Sequence, residues 1–287
     1  MMDIIRHVLP KVGQSAMDLE GFTRTSFTFD GKTRPVYRRG EGPAVIVIHE
    51  IPGIIPEVAR FATRVADARF AVYMPNLFGT PGRPFSNPYA AAGILRACIS
   101  REFRVLATHD TSPITDWLRA LARSAYKETG ARGVGVIGMC LTGNFALAMA
   151  VDEAVLAPVL SQPSLPLPVS SHRKAALHLS DSGLVTLKKR AAGGLKVLGL
   201  RFTGDPLCPA ERFQRLREEI GPAFEAIEID SSAKNLHGIP RSAHSVVTRD
   251  LVDREGHPTR EALDRVIGFF REQLASDGVY RLPVIRS

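Results

Sequence analysis

Apolar residues follow two periods along this chain, and the switches between them mark out strands that alternate with helices. Thr23–Phe29 and 34–38 are alternating segments on either side of Asp30-Gly31, a turn pair that predicts a β-hairpin. Ala44–Ile48 reads Ala-Val-Ile-Val-Ile, the continuous apolar run of a strand buried on both faces. Behind it Val58, Phe61, Ala62, Val65 and Ala66 fall at helical spacing. Residues 70–74 predict another strand, stopped by Pro75. The Gly- and Pro-rich stretch 76–88 reads as loop, and helices are expected over about 89–107 and 113–129. A strand at 133–138 runs directly into an apolar helix at 141–151. Buried strands are expected again at 154–160 and 195–203, with a Ser- and Pro-rich, then basic, stretch between them that has no clear period. Pro209 opens a helix that Gly221 ends, Phe224–Ile229 is a last strand, and Pro258 starts a final helix with Leu263, Val266, Ile267 and Phe270 on one face.

The pattern predicts an N-terminal arm (1–21) and one α/β domain (22–287), antiparallel where the sheet begins and parallel thereafter. Of the 287 residues, 45% are hydrophobic and 23% charged, which excludes a wholly disordered chain. No apolar run approaches the roughly 18 residues of a membrane span, and the N-terminal residues mix acids and a proline into their apolar positions, unlike a secretory signal. Three cysteines cannot form a full set of disulfides. The expectation is a cytoplasmic protein with no membrane partner. A net charge of +8 suggests nucleic acid, yet the basic residues are dispersed and their longest run is Lys188-Lys189-Arg190. No aromatic RNA-binding motif or zinc-finger spacing accompanies them, so no nucleic-acid partner is expected.

Gly133, Gly135 and Gly138 formally match G-x-G-x-x-G. In a dinucleotide site such glycines follow the strand, whereas here two precede or lie within it, and the next strand does not end in an acid for a ribose. The histidines show no metal-ligand spacing. Neither cofactor nor metal is expected.

The same segment carries a better signal. In Gly138-Met-Cys140-Leu-Thr142-Gly143 a cysteine stands between a buried strand and an apolar helix, the arrangement of a nucleophile elbow, G-x-Nuc-x-G. A tight turn there lifts the nucleophile to a helix N-terminus, where backbone N–H groups favour a thiolate and a developing oxyanion. Thr142 departs from the pattern, which wants a very small residue. On this motif alone Cys140 is either a nucleophile or an ordinary buried thiol. Farther on, Asp205 lies in a loop after one strand, and His237 and His244 in the loop after the last. That is the order nucleophile, acid, histidine of an α/β-hydrolase.

These residues resemble the dienelactone hydrolase family, whose members have the α/β-hydrolase fold: a mostly parallel sheet, an N-terminal antiparallel hairpin and helices on both faces. The likeness lies in His49-Glu-Ile-Pro-Gly53, Met74-Pro-Asn-Leu-Phe78, the Cys140 elbow, and the Asp205 and His244 loops, over residues of about 44–270. It implies a carboxylic ester hydrolase with Cys140 as nucleophile, His244 as base and Asp205 as its orienting acid. It also implies oxyanion donors at the backbone N–H of Ile51 and Leu141, and a Glu50 that pairs with the resting thiol and takes its proton. The segment His244-Ser-Val resembles the family's His loop more closely than does His237-Gly-Ile. A small ester, lactone or thioester is the implied substrate. Arg83 and Arg249 are candidates to bind it, but neither stands in register with the family's carboxylate-binding arginines, which argues against dienelactone itself. The competing reading is a non-catalytic binding protein that keeps the fold, its elbow blunted by Thr142.

Overall fold

The computed structural model describes residues 19–99 and 112–275. Most of the arm, and the part of the expected helix beyond residue 99, lie outside the described residues. Strands β1 (Thr23–Phe29) and β2 (Lys32–Arg39) form the expected hairpin. Strands β3 (Ala44–Ile48), β4 (Ala71–Pro75), β5 (Val134–Met139), β6 (Val155–Ser161), β7 (Val197–Phe202) and β8 (Phe224–Ile229) complete one sheet in the order β1-β2-β4-β3-β5-β6-β7-β8. β2 pairs antiparallel with β1 and β4, and every later pairing is parallel.

Helices cover both faces. They are α1 (Pro56–Asp67), α2 (Asn87–Ile99), α3 (Pro113–Thr129), α4 (Gly143–Met149), α5 (Ser171–Ala175), α6 (Asp181–Ala192), α7 (Ala210–Ile220) and α8 (Pro258–Leu274). Side chains alternate across a strand, and β3 shows the consequence. Val45 and Val47 join Phe61 of α1 and Phe270 of α8 in one core, while Ile46 and Ile48 join Trp117 of α3 and Phe145 of α4 in the other. A third core, with Leu187 of α6 and Phe213 of α7, covers the β6–β8 end. Among the described residues no helix is long and apolar enough to cross a membrane.

The glycines of the formal G-x-G-x-x-G serve packing. A methyl group at Gly135 would stand 2.9 Å from the Phe270 ring, so α8 lies directly on the strand there. Two expectations need correction. The helix expected at 141–151 begins with a 3₁₀ turn, Cys140–Thr142, before α4, because the chain must reverse sharply as it leaves β5. The stretch without a clear period holds α5 and α6, each started by a serine cap, Ser170 or Ser180.

The parallel strands β3, β5, β6 and β7 all point one way, so the loops that follow them gather at one edge of the sheet. Ligands bind at that edge in open α/β sheets. The layering yields a stability test. Phe270→Ala opens a void beneath β5 and should cost about 3–5 kcal/mol in urea unfolding. Leu236→Ala, at a side chain 96% exposed, should leave stability within about 0.5 kcal/mol.

Candidate active site

The chain leaves β5 through Cys140, whose φ of +56° is a left-handed value that costs a non-glycine residue about 1–2 kcal/mol. Strain of this kind persists only where surrounding contacts over-determine it. Here they do. A methyl at Gly138 would stand 2.1 Å from the Thr142 carbonyl oxygen, and one at Gly143 2.6 Å from Pro163 Cα, so neither position accepts a side chain.

Thr142 is the exception to the elbow pattern, and the structure gives its reason. Its side chain is fully buried, and Oγ1 accepts the Met139 N–H at 2.9 Å. The hydroxyl proton faces the carbonyl oxygens of Met139 at 2.9 Å and of Ile48 and His49 at 3.1 Å each. The threonine braces the turn and ties it to the end of β3. The argument for a blunted elbow therefore falls away.

At the end of β3, His49 is buried beneath Phe78, with the ring centroids 4.5 Å apart. Its Nε2 accepts the Leu77 N–H at 3.0 Å, which puts its proton on Nδ1, 2.9 Å from the Glu50 carbonyl. Burial lowers its pKa to about 4 despite that bond, so the ring is a neutral strut between the loops after β3 and β4. Glu50 is likewise buried. Its Oε2 accepts from Ser245 Oγ at 2.7 Å and its Oε1 from Thr248 Oγ1, both in the loop that carries His244. Burial raises its pKa, against the effect of those two hydroxyls, of His244 and of Arg249. The bond to the thiol that the family likeness implies is not formed; both carboxylate oxygens accept from the His244 loop instead.

Asp205 follows β7, and its Oδ1 accepts the Leu207 N–H at 2.9 Å. Its Oδ2 lies 2.7 Å from His244 Nδ1. Arg201, itself buried, clamps this loop from below through the carbonyls of Thr203 (3.1 Å) and Cys208 (2.9 Å) and pairs with Glu228 at 2.6 Å. The His244 loop is fastened in turn by Asp250, whose Oδ2 accepts the N–H groups of His244 at 2.9 Å and Ser245 at 2.8 Å. Nε2 of His244 is buried and makes no hydrogen bond of regular geometry. Burial alone would disfavour the imidazolium, but the charge and hydrogen bonding of Cys140 and Asp205 outweigh it and raise the His244 pKa well above its ordinary value. His237, the other candidate, is exposed and stacks edge-on against His257 at 5.3 Å. The structure thus brings Asp205 and His244 together beside Cys140 and leaves His237 outside.

Ile51 and Leu141, whose backbone N–H groups are the implied oxyanion donors, pack in a small apolar cluster with Phe78, Ala90, Cys140, Leu165 and Leu167. Leu141 lies in the first turn after the elbow, where N–H groups have no partner within the helix. Arg83 and Arg249 stand outside the cluster, both exposed. Their guanidinium carbons lie 4.2 Å from the Tyr89 ring centroid and 3.5 Å from that of Phe85.

Sequence reasoning passed over Ser245, Thr248, Gln162 and Arg212. Gln162, at the end of β6, accepts the Val246 N–H at 3.4 Å and so steadies the base loop. Arg212 is fully buried and donates to the carbonyls of Pro163 (2.6 Å), Pro166 (2.7 Å), Arg173 (3.0 Å) and Ala176 (3.0 Å), which fixes the wall that carries Leu165 and Leu167. An arginine on the core face of the helix after Pro209 was the one available signal.

An eight-stranded sheet in this order, with a cysteine elbow after β5 and a carboxylate–histidine pair after β7 and β8, defines a hydrolase of the α/β-hydrolase fold. Residues 33–274 match the model of the dienelactone hydrolase family, and the chain belongs to that family. Solved structures agree on the fold. A protein of Klebsiella pneumoniae subsp. pneumoniae MGH 78578, assigned as a dienelactone hydrolase, superposes with a TM-score of 0.58 at 18% identity, over 88% of this chain and 98% of its own. A cold-adapted esterase from an Arctic intertidal metagenomic library gives 0.56 at 12% identity, over 92% and 99%. The dienelactone hydrolase of Anabaena variabilis ATCC 29413 gives 0.53 at 15%, over 88% and 98%. No curated protein sequence matches the chain.

Two tests follow from the struts. Thr142→Val keeps the volume but strands the buried Met139 N–H. It should lower the unfolding free energy by about 1–3 kcal/mol in urea titrations. His49 is protonated at about 6.5 when unfolded and at about 4 when folded. The unfolded chain therefore binds the extra proton, and the stability this residue contributes above pH 6.5 is lost as pH falls toward 4. The expected loss is roughly 3 kcal/mol over that interval. In His49→Gln, the slope of unfolding free energy against pH should flatten by about one proton between pH 6 and 4.5.

Proposed function

We propose that this chain hydrolyses small esters, lactones or thioesters through an acyl-enzyme formed on Cys140, with His244 as base and Asp205 as its orienting acid. The observation that carries the reading is the 2.7 Å bond between His244 Nδ1 and Asp205 Oδ2 beside a cysteine held at φ +56°. Membership of the dienelactone hydrolase family supports an ester-type hydrolase.

His244 takes the Cys140 proton, and a thiolate beside an imidazolium accounts for the direction in which the His244 pKa moves. Asp205 fixes the imidazole so that Nε2 faces the sulfur and stabilises its charged form. The thiolate attacks the carbonyl carbon, and the carbonyl electron pair moves to oxygen, where the N–H groups of Ile51 and Leu141 receive it. Collapse of this intermediate expels the alcohol or thiol, which leaves with the proton from His244 Nε2. Water then loses a proton to the same nitrogen and attacks the acyl-enzyme, releasing the acid and restoring the thiolate. Glu50 acts here as a positioning residue, holding the base loop through Ser245 and Thr248 against the loop that carries Ile51.

The test is hydrolysis of p-nitrophenyl butyrate by the full chain. Cys140→Ala should fall to the uncatalysed rate, and Asp205→Asn and His244→Ala should each lose about 10²–10⁴ in kcat with circular dichroism unchanged. His237→Ala should keep full activity. Undiminished turnover in Cys140→Ala would overturn the assignment.

A further inference from the structure

Besides the Asp205–His244 pair, apolar side chains pack against Cys140. They are the buried Ile51 and Leu141 and the partly buried Phe78, Ala90, Leu165 and Leu167. Helix α2 bounds this space closely, since a methyl at its Gly93 would stand 3.1 Å from Ile51 Cγ2. The backbone that carries Leu165 is fixed beforehand, because Arg212 grips it on both sides at Pro163 and Pro166. Beyond Leu167 the chain emerges at Val169, 74% exposed.

Among the described residues, Arg83 and Arg249 each lie over an aromatic face and are exposed. Moving an unpaired carboxylate from water to apolar surroundings costs several kcal/mol. An aliphatic chain gains on the same transfer.

We propose that the acyl side of the site is a neutral, apolar subsite, and that the substrates are esters or thioesters of uncharged aliphatic acyl groups rather than carboxylate-bearing lactones. The inference rests on Cys140 being the nucleophile, and it assigns Leu165 and Leu167 as specificity-determining residues.

Two p-nitrophenyl esters on the same adipoyl chain separate the possibilities: the p-nitrophenyl monoester of adipic acid and its methyl-capped counterpart, which differ in one charge and the capping methyl. The capped ester should have the higher kcat/KM by at least about 100-fold. From p-nitrophenyl acetate to butyrate, kcat/KM should rise about fourfold per methylene. Leu167→Lys should narrow the gap at least about tenfold by improving hydrolysis of the free acid, which a merely structural wall residue would not do. Equal or better hydrolysis of the free acid by the wild type would overturn the apolar subsite while leaving the cysteine hydrolase intact. Activity that survives Cys140→Ala would overturn the cysteine reading instead. Alkylation of Cys140, followed by mass spectrometry of its peptide and scaled to glutathione, reads the subsite without turnover. N-butyl iodoacetamide should react at least about tenfold faster than iodoacetate, and the reverse order would overturn the proposal.

Discussion

The Thr142 hydroxyl is the bond on which the site's geometry depends. It satisfies the last N–H of β5 and reaches two carbonyls at the end of β3, 93 and 94 residues away in the chain. Adjacent parallel strands thereby end in register, and the turn after one is locked to the loop after the other. Cys140 can occupy a left-handed conformation because its successor in the turn is anchored in this way. The loop that begins at His49 is set by the same bond, so the Cys140 turn and the Ile51 loop share one foundation.

The remaining loops are fastened to that foundation by polar side chains that are themselves buried. Glu50 reaches from the β3 loop to the base loop, His49 to the β4 loop, Gln162 from β6 to Val246, and Arg201 beneath the acid loop. The bonds of Glu50, His49 and Gln162 are long in sequence, and that of Arg201 closes a local loop. Breaking one leaves a desolvated partner, which costs more than the bond itself contributes. The site is consequently stiff for reasons separate from its chemistry, and its electrostatics follow from the same burial. His49 is kept neutral, Glu50 is pushed toward its acid form, and His244 is pushed the other way by the charges it faces.

Local patterns made the scaffold legible in the sequence. The hairpin around Asp30-Gly31, the amphipathic run of α1 and the all-apolar β3 follow from periods of two and 3.6 residues and from turn chemistry. The elbow cysteine was legible because it interrupts a strand–helix junction in a recognisable way. Thr142 was not, since its acceptors belong to a strand far away in sequence, and a side chain that looks too large for a turn fits when a slot beneath it is lined with carbonyls. The choice between His237 and His244 likewise turned on a distance to Asp205 that no spacing encodes, although the likeness of the His244 segment favoured the same residue. α5 and α6 were obscured because tertiary contacts hold them, α5 through Arg212 and α6 through its own Leu187 in the third core, and their own periodicity is weak.

Arg212 bears on how such a site changes over evolutionary time. It recognises the wall of the pocket through four carbonyl oxygens and no side chain. Anchorage of the wall is therefore indifferent to which residues compose it. Leu165 and Leu167 can be exchanged for other side chains while the backbone that presents them stays where the guanidinium holds it. Position and chemistry of the segment are inherited separately, and a lineage carrying this arginine can vary those two side chains without rebuilding the backbone around them.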